Sequence, residues 1–192
     1  MKIKTNLLKI PLFLTISIVL TGCATQSTST IVGGEYSETK NITDYFVLPY
    51  GSVSLPGKWE KTSYNEISKQ QFFRNQDSIK IALAFERYNS YQFNTDGTHT
   101  GFSFVRAYYE WDSKYFMDSF GLNRQTIESD SAANFMIYRI YGQAGQGEFD
   151  TYFLIGEKNG NISNFSISIT HKWNEGEKVK FLKSLYLIAK NE

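Results

Sequence analysis

The chain has one cysteine and two histidines in 192 residues. A single thiol leaves no internal disulfide to staple the fold. Neither His99 nor His171 has a second His or Cys at ligand spacing, so a zinc site is excluded. The apolar run from Ile10 to Leu20 is too short for a spanning helix, which needs ~20 such residues. Charge of one sign is also lacking, with 20 Lys+Arg against 19 Asp+Glu and a formal net charge of +1. Nucleic acid needs a basic surface, and none is available.

The signatures of common chemistries are missing too. Gly101-Phe102-Ser103-Phe104 is not the Gly-x-Ser-x-Gly turn of a serine hydrolase. Gly142-Gln143-Ala144-Gly145-Gln146-Gly147 joins two strands rather than a strand and a helix, and reads as a flexible hairpin loop, not a phosphate loop. Residues 92–97, QFNTDG, hold half of an EF-hand pattern, but Gln92 and Ser103 stand where carboxylates are needed. Glu110 and Asp112 are two apart on a helix and point to different faces. Glu148 and Asp150 are two apart on a strand, closer than a working glycosidase pair. No catalytic residue, metal site or cofactor is assigned.

What is present begins at the N-terminus. Lys2, Lys4 and Lys9 precede the apolar run, and small residues follow it, the pattern of a secretory signal. The run ends in Leu20-Thr21-Gly22-Cys23, which resembles the lipobox of bacterial lipoproteins. That resemblance implies that residues 1–22 are a signal peptide cut before Cys23, and that the Cys23 thiol receives a diacylglycerol that anchors the chain in a membrane. The expected location is the cell envelope. Ala24, and the lack of an Asp after Cys23, fit the outer membrane facing the periplasm in a cell that has one. Cleavage removes three lysines and no acid, which changes the formal net charge from +1 to −2. Residues 24–41 are rich in Ser, Thr and Gly and have almost no large apolar side chain, so 23–43 reads as a lipidated cysteine followed by a flexible tether. Residues 44–192 read as one domain.

Within that domain Tyr45–Leu48 and Ser52–Leu55 flank Pro49-Tyr50-Gly51 as strand, turn and strand. Ile67–Arg74 reads as a strand, and Ser78–Arg87 as another with Ile79, Ile81, Leu83 and Phe85 on one face. Asn89–Gly101 is a loop. Phe104, Tyr108, Trp111 and Tyr115 recur at a helix period up to Gly121, which stops the helix. Phe135–Tyr141 is apolar throughout, as a strand covered on both faces would be. Phe149–Glu157 and Ser163–Ile169 flank Asn159-Gly160, a hairpin signal, and the polar residues of the second arm predict a wet or lightly covered face. Asn174 and Glu177 make a capping box for a last helix. The order predicts an α+β fold, an antiparallel β-sheet flanked by helices.

The stretch FVLPYGSVSLPGKW, with Leu55-Pro56-x-x-Trp59, resembles the start of Mog1/PsbP-like domains, and the order of elements is similar over about Tyr45 to Lys190. Lipoproteins of the DcrB kind carry such a domain behind a lipobox. The resemblance implies a non-enzymatic module that binds a protein partner in the envelope or helps an assembly form. No catalytic motif comes with it.

Aromatic residues cluster around the long loop: Tyr88, Tyr91, Phe93, Tyr108, Tyr109 and Trp111. Tyr88, Tyr91, Phe93 and Trp111 are the candidate partner- or ligand-binding residues, with the loop as the partner-facing surface. A flat exposed aromatic patch would mean a protein partner. A concave pocket lined by Tyr and Trp would mean a carbohydrate or other small ligand. Titratable groups converging in a cleft would mean an enzyme.

Overall fold

A computed structural model describes residues 29–191. Residues 1–22, read as a signal peptide, and the Leu20-Thr21-Gly22-Cys23 segment read as a lipobox lie outside the described residues. The order of elements is β1 (Ile31–Gly33), β2 (Tyr36–Ser37), β3 (Ile42–Leu48), β4 (Gly51–Pro56), β5 (Trp59–Asn65), β6 (Gln70–Asn75), β7 (Lys80–Arg87), α1 (Gly101–Phe120), β8 (Asn123–Asp130), β9 (Phe135–Ala144), β10 (Gly147–Lys158), β11 (Asn161–Ile167) and α2 (Glu175–Ile188). The expected α+β architecture is present as two antiparallel sheets and two long helices.

The large sheet has seven strands in the order β5-β6-β7-β11-β10-β9-β8. Its central strands are apolar on both faces, so each face needs a cover. One face, with Ile81, Leu83, Phe85, Ile137, Leu154 and Phe165, packs against α2 and the small sheet. The other, with Tyr138, Ile140, Phe153 and Ile155, packs against α1. The molecule is therefore layered, with the small sheet and α2 below, the large sheet in the middle and α1 above.

Trp59 fixes the passage between the sheets. Its indole N–H donates to the Pro56 carbonyl at 2.9 Å, and its backbone N–H donates to Thr43 Oγ1 at 2.9 Å. The ring packs edge-on to Trp173 and against Phe181 of α2. This is the physical role of the Leu55-Pro56-x-x-Trp59 segment.

Several expectations are corrected. The tether reading of residues 24–41 fails over its second half, where β1 and β2 both pair with β3. The polar strands β5 and β8 were not anticipated. Ile67 lies exposed in the β5–β6 turn rather than in a strand. The 142–147 loop shrinks to a tight turn, since Ala144 pairs with Gly147. The polar side of β11 is not wet within the strand: Asn164 and Ser166 are buried. The Asn159-Gly160 hairpin is present as read, with Lys158 opposite Asn161 and φ of 55° and 79° at the two turn residues. Positive φ at both positions is what a type I′ turn requires.

Candidate partner-binding face

The helix α1 starts with a reciprocal cap. The Thr100 side chain accepts from the Ser103 backbone and the Ser103 side chain accepts from the Thr100 backbone. The helix ends at Gly121 with φ of 66°, a conformation that costs glycine little. Between these ends Phe104, Val105, Tyr108 and Tyr109 are buried on the large sheet. Further along the helix the large rings are partly exposed: Trp111 by 39%, Tyr115 by 56% and Phe120 by 48%. At 20 residues the helix is about 30 Å long, and of the rings in its C-terminal half only Phe116 packs back on the sheet, against Phe149 and Phe153 of β10.

The loop before α1 is folded, not open. It forms two 3-10 turns, Tyr88–Ser90 and Gln92–Asn94. Buried Asn94 ties it together, donating to the carbonyls of Tyr88 and His99 at 3.0 Å and accepting from the His99 N–H at 2.8 Å. The Tyr91 ring meets Tyr108 edge-on at 5.2 Å and Phe104 at 5.5 Å, and the Phe93 ring lies 5.3 Å from Phe104 and 5.4 Å from Trp111. Such pairs add to simple burial. Tyr91, Phe93 and Trp111 are thus brought together as expected, but Tyr91 and Phe93 turn inward and extend the core. Tyr88 stands apart from them, against Gly97 and the hairpin Gly160. Of the four candidate residues only Trp111 presents a large exposed ring.

The rings that do face solvent continue from Trp111. Tyr115 packs on Phe116 at 5.5 Å and on Phe120 at 5.8 Å, and Phe116 packs on Phe149 of β10 at 5.4 Å. A signal for them was available: the C-terminal half of α1 has aromatics on more than one side, which a single buried stripe cannot absorb.

Beneath α1 lies a buried polar chain. The Asn164 Nδ2 donates to the Tyr108 hydroxyl at 2.7 Å, and the Tyr138 hydroxyl donates to Asp112 at 2.6 Å. Burial pushes the Asp112 carboxyl up to about 6, against the lowering effect of its Tyr138 and Tyr108 hydrogen bonds. Burial also pushes the Tyr108 and Tyr138 phenols well above their ordinary value. Glu110, on the opposite side of the helix, pairs instead with Arg124 at 2.6 Å. On the other face of the large sheet Asp150 is engaged by Arg139 at 2.6 Å, with Lys178 at 3.9 Å, while Glu148 is exposed.

Surface hollows open beside Lys58, Glu60 and Arg74, and beside Tyr36, Asn41 and Gln76. Neither includes the α1 aromatics. Among the described residues no group of three or more His, Cys, Asp or Glu side chains could hold a metal ion.

No family model and no curated protein matches this chain. Among solved structures it is similar to the solution structure of cyanobacterial PsbP (CyanoP) from Synechocystis sp. PCC 6803. The two share 12% identity, over 90% of this chain and 99% of that one, with a TM-score of 0.44.

Proposed function

We propose that this chain is a lipid-anchored protein of the bacterial cell envelope, without catalytic activity, whose domain binds a protein partner through the outer side of α1. The observation that carries the reading is the set of half-exposed rings, Trp111 on one flank of the helix and Tyr115 with Phe120 towards its C-terminal end, on a helix whose sheet-facing side is firmly packed. Aromatic side chains on a rigid support are what protein interfaces use as anchors. The rings flank the packed face of the helix and line neither surface hollow, which favours a protein over a sugar. The acidic groups with neighbours suited to chemistry are already engaged: Asp112 by tyrosine hydroxyls and Asp150 by Arg139. The anchor reading rests on Lys2, Lys4, Lys9 and the apolar run that ends in Leu20-Thr21-Gly22-Cys23.

Photo-crosslinking in the living envelope tests this. A photoreactive residue at Tyr115 should give one discrete adduct with another protein, and the same residue at Lys69, in the β5–β6 turn, should give none. Cys23→Ala should move the protein out of the membrane fraction. A protein that stays membrane-bound without Cys23, or that gives no adduct at Tyr115, contradicts the reading.

A further inference from the structure

The small sheet has an outer face that no other described element covers. Along β3 burial alternates, with Thr43, Tyr45 and Val47 in the core and Ile42, Asp44, Phe46 and Leu48 partly exposed on the other side. Ile31 lies opposite Leu48 across the β1–β3 pair, and residues directly opposite share a face. Ile31 is 59% exposed. The Phe46 ring lies across β1 at Gly33, where a Cβ would come within 2.3 Å of it. Asp44, the one charge on this side of β3, accepts from Ser54 at 2.5 Å. At the neighbouring edge Lys190 bridges to Ser52, which brings up the last turn of α2 with Leu187 and Ile188 exposed. Ser52 and Ser54 of β4 lie opposite Phe46 and Asp44 on this face, so its apolar part is the strip Ile31, Leu48 and Phe46, and an exposed apolar strip marks an interaction site.

The chain itself indicates the occupant. Cys23 stands eight residues before Ile31, and eight residues reach at most about 29 Å when fully extended. Residues 24–28, Ala-Thr-Gln-Ser-Thr, have no large apolar side chain with which to cover the face. A lipid on Cys23 therefore keeps β1, the nearest strand, within about 29 Å of the bilayer surface. We infer that the outer face of the small sheet, through Ile31, Phe46 and Leu48, rests on the same bilayer that holds the Cys23 lipid. This rests on the reading of Cys23 as lipidated. The layering then directs α1 away from the membrane. The large sheet and α1 stack above the small sheet at ~10 Å per layer, which places the α1 aromatics roughly 20–30 Å out, where a protein partner can meet them.

Cys23 is the only cysteine, so once it is acylated an introduced cysteine is the only free thiol. Ile31→Cys, Leu48→Cys and Tyr115→Cys are made in the full lipidated chain and labelled with an environment-sensitive fluorophore. Each is placed in phosphatidylethanolamine/phosphatidylglycerol vesicles containing nitroxide-labelled lipid, and the mass of the lipidated chain is measured on the same samples. At Ile31 and Leu48 the emission should shift to the blue and lose most of its intensity to the nitroxide, while the Tyr115 probe keeps its intensity. Equal quenching at all three sites, or none at Ile31 and Leu48 in a chain of lipidated mass, overturns the face and leaves the anchor standing. A blue shift without quenching that grows with the protein-to-lipid ratio shows a second copy on the face and overturns it too. A chain without the lipid mass that stays free of the vesicles overturns both readings.

Discussion

The two faces of the large sheet are covered in different ways. Below, a second sheet and α2 bury a mixed aliphatic and aromatic core in which Leu55, Phe73, Leu83, Leu154 and Leu185 have no exposed surface. Above, one helix and a short folded loop cover a core dominated by rings, with a carboxyl and three polar partners inside it. A sheet and a helix together reach across the whole surface. A single helix buries one side, and Tyr115 and Phe120 are left half-exposed. The lower face is built for stability, and the upper face combines a cover with an exposed surface.

The largest expected effect lies in the lower core. Phe85 is buried, edge-on to Phe165 at 5.4 Å, and Phe85→Ala should cost about 3–5 kcal/mol in a urea titration. A cost below that of any upper-face change would break the comparison. Next is the loop. Tyr91→Ala with Phe93→Ala should cost ~3 kcal/mol, since both rings pack on Phe104 and large-to-small core changes cost that much. A loss under about 1 kcal/mol would return the loop to the surface class.

Asp112 sharpens the contrast through pH. Its folded carboxyl titrates at about 6, above the ordinary value of 3.8. The folded state thus binds a proton between those values that the unfolded state does not. The stability from this group is present at low pH and is lost as pH rises through about 6. Asp112→Asn should therefore be more stable than the parent at pH 7.5 by about 1–3 kcal/mol, with the difference shrinking towards pH 4. Unfolding midpoints at the two pH values give the answer, and a pH-independent difference would count against a buried, raised carboxyl. The smallest effect is at the hairpin, where Gly160 has φ of 79°. Gly160→Val should lower stability by about 1 kcal/mol through the left-handed penalty, seen as a modest drop in Tm.

The elements that were legible in the sequence have strong local signals. The Asn174–Glu177 capping box, the Gly121 stop and the Asn159-Gly160 turn each satisfy backbone groups within a few residues: the Asn174 and Glu177 side chains at the first, the Gly121 N–H to the Met117 carbonyl at the second, and the Gly160 N–H to the Glu157 carboxylate at the third. The strands that were missed are edges. β5, WEKTSYN, buries only Trp59, and β8, NRQTIESD, buries none of its residues, so neither shows the alternation of a half-buried strand. β1 and β2 are held by pairing with β3, which composition does not reveal. The face of β11 was misread because small and polar residues sit under α1, where the Tyr108 hydroxyl takes the Asn164 amide. For the site, sequence proximity grouped Tyr91, Phe93 and Trp111 correctly, but the inward direction of Tyr91 and Phe93 comes from their packing on Phe104 and from the loop folded around buried Asn94, which the polar sequence of the loop does not reveal.

The central claim is that the exposed rings of α1 bind a partner and do not hold the fold. The direct measurement is a triple variant, Trp111→Ala, Tyr115→Ala and Phe120→Ala, in the full lipidated chain, with unfolding and photo-crosslinking from the nearby exposed Lys114 both followed. The account predicts a loss of about 1 kcal/mol or less per site, as for surface changes, together with disappearance of the partner adduct. A triple variant that unfolds like a core mutant, or that stays folded and keeps the full adduct yield, would contradict it.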